Sequence, residues 1–272
     1  MKLTNKLFNL EGRIIIVAGG AGQIGFSFCE ILADAGATVI IADIDIEMAQ
    51  TKIDGIDAEL SEKISTLKLD VSNPDEIKKF YKKIEEQYGR IYGLINCFHF
   101  KGNTRKLDTN ASFFSGIENY PIEAWDIVHD INLRGTFLMT QGAIPLFKSN
   151  GGGVIINISS TYGNVSANKS IYGNSGINSP VAYATSKAAI INLTRYTATH
   201  LAEFNIRANT LSPGGVYNNQ SEEFVTNYTN LTPLKRMANP EDYQGAILFM
   251  MSDASSYMTG ANLNIDGGWT AW

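Results

Sequence analysis

The chain has 272 residues, 44% hydrophobic and 18% charged, with a net charge of −5 from 22 basic and 27 acidic side chains. That is enough apolar material for a full α/β core and excludes disorder as the main state. The acidic balance, with a pI near 5.3, argues against nucleic acid or an anionic membrane as the main partner, because both polyanions need a basic face. Two cysteines, Cys29 and Cys97, make no disulfide framework; with no apolar run near the roughly 18 residues of a membrane span and no apolar stretch in residues 1–12 to suggest a signal peptide, the expected location is cytoplasmic.

Taken in chain order, short β-branched runs alternate with helical patterns. Residues 14–17 read as a buried strand, 19–25 as a turn and 26–36 as a helix stopped by its glycine. Residues 38–41 form the next strand, which ends at Asp43, and 64–69 a third. Ser72-Asn-Pro-Asp75 opens a helix whose Ile77, Phe80, Tyr81 and Ile84 share one face. The runs 91–97 and 154–158 are continuously apolar, as in strands covered on both sides. Helical periodicity covers 181–204; 206–211 reads as a strand, 241–251 as a helix and 262–265 as the last strand. Repeated β–α alternation without a break implies one α/β domain, a doubly wound parallel sheet with helices on both faces. Two stretches rich in Gly, Asn, Ser and Thr, 98–120 and 161–180, stand outside this pattern and read as long functional loops.

Gly20-Ala-Gly22-Gln-Ile-Gly25 is a G-x-G-x-x-G turn directly after the first strand and before the first helix. In that setting glycines let the backbone approach a pyrophosphate, which the helix N-terminus then receives. Asp43 lies 18 residues beyond Gly25, where a carboxylate accepts the ribose hydroxyls of NAD and repels the extra phosphate of NADP. No Lys or Arg occurs between Arg13 and Lys52, which strengthens the NAD reading, although a more distant basic residue could still fold over this end of the crevice. Asp70 and Val71, closing the third strand, fall where the adenine would lie, although an Asp that only forms a turn fits Asp70 nearly as well.

Tyr183-Ala-Thr-Ser-Lys187 puts a phenol and an ammonium one turn apart on a helix. The preceding strand ends in Asn157-Ile-Ser159-Ser160, so its hydroxyls, the phenol and the ammonium meet at the carboxyl ends of the strands, where α/β sheets bind ligands. Hydride transfer to or from nicotinamide needs a partner that moves the alcohol proton. A tyrosine with an ordinary pKa of about 10 serves at neutral pH only if lowered by roughly 3 units, and a neighbouring cation supplies about 1–3 of them. Lys187 is the expected source, and Ser160 would orient the substrate oxygen.

Through these motifs, and on to Asp266-Gly267-Gly268, the chain resembles the one-domain short-chain dehydrogenase/reductase family over nearly its whole length. The resemblance implies a Rossmann fold of about seven strands and a catalytic tetrad at Asn132 (in Ile131-Asn-Leu-Arg-Gly135), Ser160, Tyr183 and Lys187. Asn132 would hold a proton-relaying water, Lys187 would also bind the nicotinamide ribose, and Ser159 would have a supporting role. The cofactor would run along Gly19, Gly22, Gln23, Ile24, Gly25, Asp43, Asp70, Val71 and Asn96 to Tyr183, Lys187, Pro213, Gly214 and Val216. No metal site is implied. The chain departs from the family pattern at Ala18, where a Thr hydroxyl that stabilises the turn is lost, and at Gln23, where a glycine is usual. It departs again at Asn96-Cys-Phe-His99, where large side chains replace Ala and Gly and must narrow the cleft or turn toward substrate. His99 is then either a substrate contact or a packed, hydrogen-bonded residue; His129 and His200 read as structural. The Thr expected soon after the Pro-Gly turn is absent, with Asn218 and Asn219 in that region.

Twenty-two residues separate Ser160 from Tyr183, more than is usual in the family, and the stretch from His99 to Asn132 is also long. Asn103, Asn110, Asn119, Asn164, Asn168, Asn174 and Asn178 lie in these loops, an uncharged lining suited to a polyhydroxylated small molecule, although the same residues simply make good loops. Arg105, Lys106 and Lys169 would meet an anionic group or water. The leading expectation is an NAD(H)-dependent oxidoreductase acting on a secondary alcohol or ketone of a sugar or sugar derivative; the C-terminal half is similar to oxidoreductases of bacterial surface-sugar and flagellin glycan synthesis. The alternatives are a 3-oxoacyl-thioester reductase, which Asp43 disfavours because that role commonly uses NADPH, and a non-catalytic dinucleotide-binding sensor or scaffold. The resemblance also implies a homodimer or homotetramer built on helices 124–147 and 181–204. The tail, with Trp269 and Trp272, is expected near an interface or a neighbouring active site, and 224–231 as a substrate lid.

Overall fold

Alternation along the first strand already separates the two layers of the core. β1 (Ile14–Ala18) turns Ile15 and Val17 to one face of the sheet and Ile16 and Ala18 to the other, all four fully buried. The computed structural model of the chain describes residues 3–100, 102, 113–175 and 177–272. In it β1 joins β2 (Thr38–Asp43), β3 (Ile64–Lys68), β4 (Gly93–Asn96), β5 (Gly153–Ile158), β6 (Ile206–Pro213) and β7 (Asn262–Ile265) in one seven-stranded sheet of order β3-β2-β1-β4-β5-β6-β7. Every pairing is parallel, so each connection crosses over a face through helices. The strand order reverses between β1 and β4, which opens a crevice at their carboxyl ends.

Among the described residues the helices are α1 (Leu3–Phe8), α2 (Gln23–Asp34), α3 (Ile46–Ile53), α4 (Ala58–Ser61), α5 (Pro74–Tyr88), α6 (Ile122–His129), α7 (Gly135–Asn150), α8 (Val181–Leu201), α9 (Glu222–Leu231) and α10 (Gln244–Met251). One layer packs Phe28 and Leu32 of α2 with Ile247, Met250 and Met251 of α10 against Ile15, Val17, Val39 and Ile41. The other packs Phe80 and Ile84 of α5 with Met139, Leu146 and Phe147 of α7 against Ile16, Ile40, Leu94 and Ile155. α5 forms as its sequence predicts: the Asn73 side chain accepts from the N–H groups of Asp75 and Glu76, Pro74 takes the first turn, and Ile77, Phe80, Tyr81 and Ile84 are the buried stripe.

Three elements differ from expectation. The helix predicted over 124–147 is two helices, α6 and α7, joined by a π-helical turn at Asp130–Arg134. Burying Asn132 fixes this turn: its side chain accepts from the Phe100 N–H at 2.8 Å and donates to Ser186 Oγ at 3.0 Å, bonds unavailable to a side chain turned outward. The helix predicted from residue 26 starts three residues earlier, and the one predicted from 241 begins as a 3₁₀ turn, Pro240–Tyr243. Asn103, Arg105, Lys106 and Asn110 lie outside the described residues.

Candidate active site

The glycine turn crosses the ends of β1 and β4 as closely as backbone can. Gly19 has φ +82°, and a Cβ on it would lie 2.6 Å from the Phe98 nitrogen; a Cβ on Gly25 would run into the Gly19 carbonyl oxygen. α2 starts just beyond, with Gly22 as its N-cap and no side-chain capping bond, so its first N–H groups are left for a pyrophosphate. These features fit a dinucleotide. With Ala18 in place of Thr, the turn is held by Gly19 N–H donating to Ala42 O at 2.8 Å and Ala21 N–H to Asp43 Oδ2 at 3.0 Å. Asp43 Oδ1 accepts from Asp45 N–H at 3.1 Å, so this carboxylate pins the turn from the place where a ribose would sit.

Lys52, which no motif marks, folds onto the turn from α3 and donates to Ala21 O at 2.9 Å. Gln23, in place of the usual glycine, reaches across the crevice and donates to Tyr217 O at 2.8 Å. Asp70 follows its turn-forming reading: Oδ1 accepts from Ser72 N–H at 2.9 Å and Ser72 Oγ at 2.6 Å. Val71 is buried beside Gly135, and Phe98 turns to the same place, so Phe98 lines the core and not the substrate side. Asn96 donates to Asn157 Oδ1, and Asn157 to Thr194 Oγ1, which ties β4 and β5 to α8; Asn96 Oδ1 itself is buried without a partner.

Ser160, Tyr183 and Lys187 converge as the spacing predicts. Ser160 follows β5, its hydroxyl accepts from Tyr162 N–H at 3.1 Å, and it lies within hydrogen-bonding reach of the Tyr183 phenol. Lys187 is 2% exposed, donates to Ile158 O at 2.7 Å and stands 5.8 Å from the centre of the Tyr183 ring. Ser159 supports it by donating to Lys187 O at 2.8 Å. The electrostatics differ from expectation. Burial pushes the Tyr183 phenol above its ordinary value, against the opposing hydrogen bond from Ser160. Burial also lowers Lys187, to about 8, with Cys97 opposing. A lysine at about 8 has lost its charge before a phenol above its ordinary value ionises, so in this state it does not draw the phenol down. Asn132 holds the backbone after β4 to α8 at Ser186, the residue just before Lys187. His99 is exposed and stands edge-on to Tyr183, ring centres 5.9 Å apart, which puts it at the mouth of the site. His129 packs against Trp125 with ring centres 4.3 Å apart, and His200 stacks on Tyr196.

On the far side Pro213 ends β6, Gly214 N–H donates to Ile265 O, and Val216 bridges to Ala238. The stretch expected to be a lid is α9. It packs its Tyr228, Phe224 and Val225 with Ile171 and Tyr172 of the 161–180 loop, Met237 and Trp269. Trp269 is 7% exposed and stacks on Tyr228 at 4.4 Å, so this part of the tail packs onto α9 of its own chain. Trp272 is exposed and donates to Leu231 O at 3.1 Å.

A family profile described as enoyl-(acyl carrier protein) reductase matches residues 19–270. The chain is 35% identical to the 3-oxoacyl-[acyl-carrier-protein] reductase of Thermotoga maritima, with 95% of this chain and 98% of that protein covered. It is 30% identical to the post-translational flagellin modification protein A of Campylobacter coli (96% and 99% covered) and 29% identical to the NAD-dependent glycerol dehydrogenase of Listeria innocua (98% and 97%). The crystal structure of a short-chain dehydrogenase from Leptospira borgpetersenii with bound NAD+ superposes with a TM-score of 0.85 at 36% identity, covering 99% of this chain and 96% of that one. With this sheet order, this glycine turn and these similarities, the chain belongs to the short-chain dehydrogenase/reductase family of nicotinamide-dependent oxidoreductases.

Proposed function

We propose that the protein is an NAD(H)-dependent dehydrogenase/reductase acting between a secondary alcohol and a ketone of a sugar, polyol or sugar derivative. The observation that carries this reading is the meeting of Ser160, Tyr183 and Lys187 beside an uncapped helix N-terminus and the Asp43 carboxylate. Asp43 supports NAD, since a second phosphate on the ribose would face a carboxylate. The name of the Listeria glycerol dehydrogenase and the NAD+ bound in the Leptospira structure agree with it. The neutral groups at Tyr183, the Ser160 hydroxyl and the His99 ring, support a hydroxylated ligand.

The nicotinamide, when bound, supplies the hydride acceptor or donor. Ser160 donates a hydrogen bond to the substrate oxygen and fixes it against Tyr183. In reduction Tyr183, which burial keeps protonated, gives its proton to the forming alcohol; in oxidation its deprotonated form would take the hydroxyl proton, a form that the positive charge of an oxidised nicotinamide beside it would favour. Lys187, still protonated at pH 7 with a pKa of about 8, holds positive charge beneath the phenol, and Asn132 keeps the two helices in register. A second reading, reduction of a 3-oxoacyl thioester, is favoured by the Thermotoga relative, and Asp43 weighs against it.

The test is turnover of sugars, polyols, aldonic and uronic acids and acyl thioesters, followed by NADH absorbance, with Tyr183→Phe as control. The expected result is turnover of a hydroxylated substrate, tighter binding of NADH than of NADPH, and a loss of about 10²–10⁴ in kcat for Tyr183→Phe with NADH binding unchanged. Full activity in Tyr183→Phe, or a preference for NADPH, overturns the respective assignment.

A further inference from the structure

Gln23 is the first residue of α2, so its own N–H belongs to the helix N-terminus offered to a pyrophosphate. Its side chain leaves in another direction. Nε2 donates to the Tyr217 carbonyl at 2.8 Å, a partner 194 residues away on the opposite wall of the crevice. That wall is held by bonds of its own. Tyr217 N–H donates to Ala238 O and Ala238 N–H to Gly215 O, both at 3.0 Å. Gln220 Nε2 donates to Val216 O at 2.9 Å, and Gln220 Oε1 accepts from Asn218 N–H at 2.7 Å. The receiving carbonyl is therefore fixed, and the Gln23 side chain is the part that turns.

With this bond made, the crevice is a closed ring. The carboxyl ends of the strands form its floor; the glycine turn with the start of α2, and residues 213–217, form its walls. Gln23 and Tyr217 are exposed, whereas Gly20 and Gly25 of the turn are buried, so the bond closes the ring on its solvent side. A dinucleotide seated by its pyrophosphate at the α2 N-terminus carries a nucleoside on either side of that strap. Both ends are wider than the middle, so it is not threaded lengthwise through the ring. It passes sideways, between Gln23 and Tyr217.

We propose that the Gln23–Tyr217 bond is a gate over the cofactor crevice, which opens by rotation of the Gln23 side chain and slows cofactor entry and exit by the same factor without changing affinity. The inference needs only the family's nicotinamide dinucleotide, and neither the substrate nor the NAD preference proposed above. Both partners of the bond belong to the chain, and it uses the Gln23 side chain, not the N–H offered to the pyrophosphate. It therefore forms alike with and without cofactor, and a barrier common to both directions cancels in the equilibrium. Side-chain rotation takes nanoseconds or less, far faster than binding, so the gate acts through the fraction of time it stands open. One neutral hydrogen bond of ordinary strength leaves it open about a tenth to a third of the time.

The experiment is stopped-flow fluorescence with NADH or NADPH, whichever binds more tightly, to the wild type, Gln23→Met and Gln23→Gly. Methionine keeps the length of the side chain and removes its donor; glycine is the residue usual in the family. Gln23 is exposed, so neither change touches the core. Association is read on mixing, dissociation on displacement by excess oxidised cofactor. Both rate constants should rise about 3- to 10-fold in both variants, with Kd the same within about twofold. Unchanged rates overturn the gate. Tighter binding with slower release means that the side chain competes with the cofactor, and faster release without faster entry means that it is a direct ligand; either result overturns it too.

Discussion

Lys187 shows how a residue legible in the sequence acquires properties that only its surroundings set. The Y-x-x-x-K spacing is enough to put its ammonium on the side of Tyr183. It is not enough to say that the side chain is buried and donates to Ile158 O, or that burial lowers its pKa from 10.5 to about 8. That shift has a stability consequence of definite sign. Below about pH 8 folded and unfolded chains both carry the proton, and the folded chain bears the cost of the buried charge. Between about 8 and 10.5 the unfolded chain binds a proton that the folded one has lost, so stability from this group rises with pH across that window. The whole effect is on the order of 3 kcal/mol. In urea unfolding the wild type should gain stability relative to Lys187→Met between about pH 7.5 and about pH 9.5; a difference that stays flat means the ammonium keeps its water. Asp43 was equally legible, as a carboxylate ending the second strand. Lys52 was not, because a lysine 27 residues past Gly25 belongs to no spacing rule, and only the fold of α3 brings it to the turn.

Among the elements, the glycine turn is where sequence and structure agree most closely, because its requirement is steric. Gly25 packs against the Gly19 carbonyl so tightly that Gly25→Ala must force the turn apart. The expected cost is about 1–3 kcal/mol of stability, as for other overpacked sites, with NADH binding weakened at least about tenfold because the helix N-terminus moves with the turn. Gly245 in α10 is the control. A Cβ there meets nothing, so Gly245→Ala should leave NADH binding unchanged and stabilise the helix by up to about 1 kcal/mol. Unfolding curves and NADH titration of both variants check this pair. The π turn at Asp130–Arg134 was not legible. The resemblance implies one unbroken helix at 124–147, and what inserts the extra residue is the pull of Phe100 N–H and Ser186 on Asn132, partners 32 and 54 residues away.

At the scale of the whole molecule, α9, the long loop after Ser160 and the C-terminal tail form one aromatic assembly. Tyr172, Phe224, Tyr228 and Trp269 are in successive ring contact, and the Tyr228 hydroxyl accepts from Gly215 N–H at 2.6 Å. The tail therefore sits behind the substrate side of the crevice. Trp269→Ala should cost about 3 kcal/mol through the cavity it leaves, and raise substrate KM more than it weakens NADH binding, measured by unfolding and steady-state kinetics. An effect on NADH alone would place the tail on the cofactor side. By itself the sequence determined the seven-stranded parallel architecture, the glycine turn and the pairing of Tyr183 with Lys187 on one helix face, because strand burial, glycine sterics and one-turn helical spacing are local rules read from neighbouring residues. The tertiary structure alone decided that Lys52 folds onto the glycine turn, that His99 stands at the mouth of the site and that Trp269 packs onto α9. Those outcomes depend on contacts between segments far apart in the chain, on which no local periodicity bears.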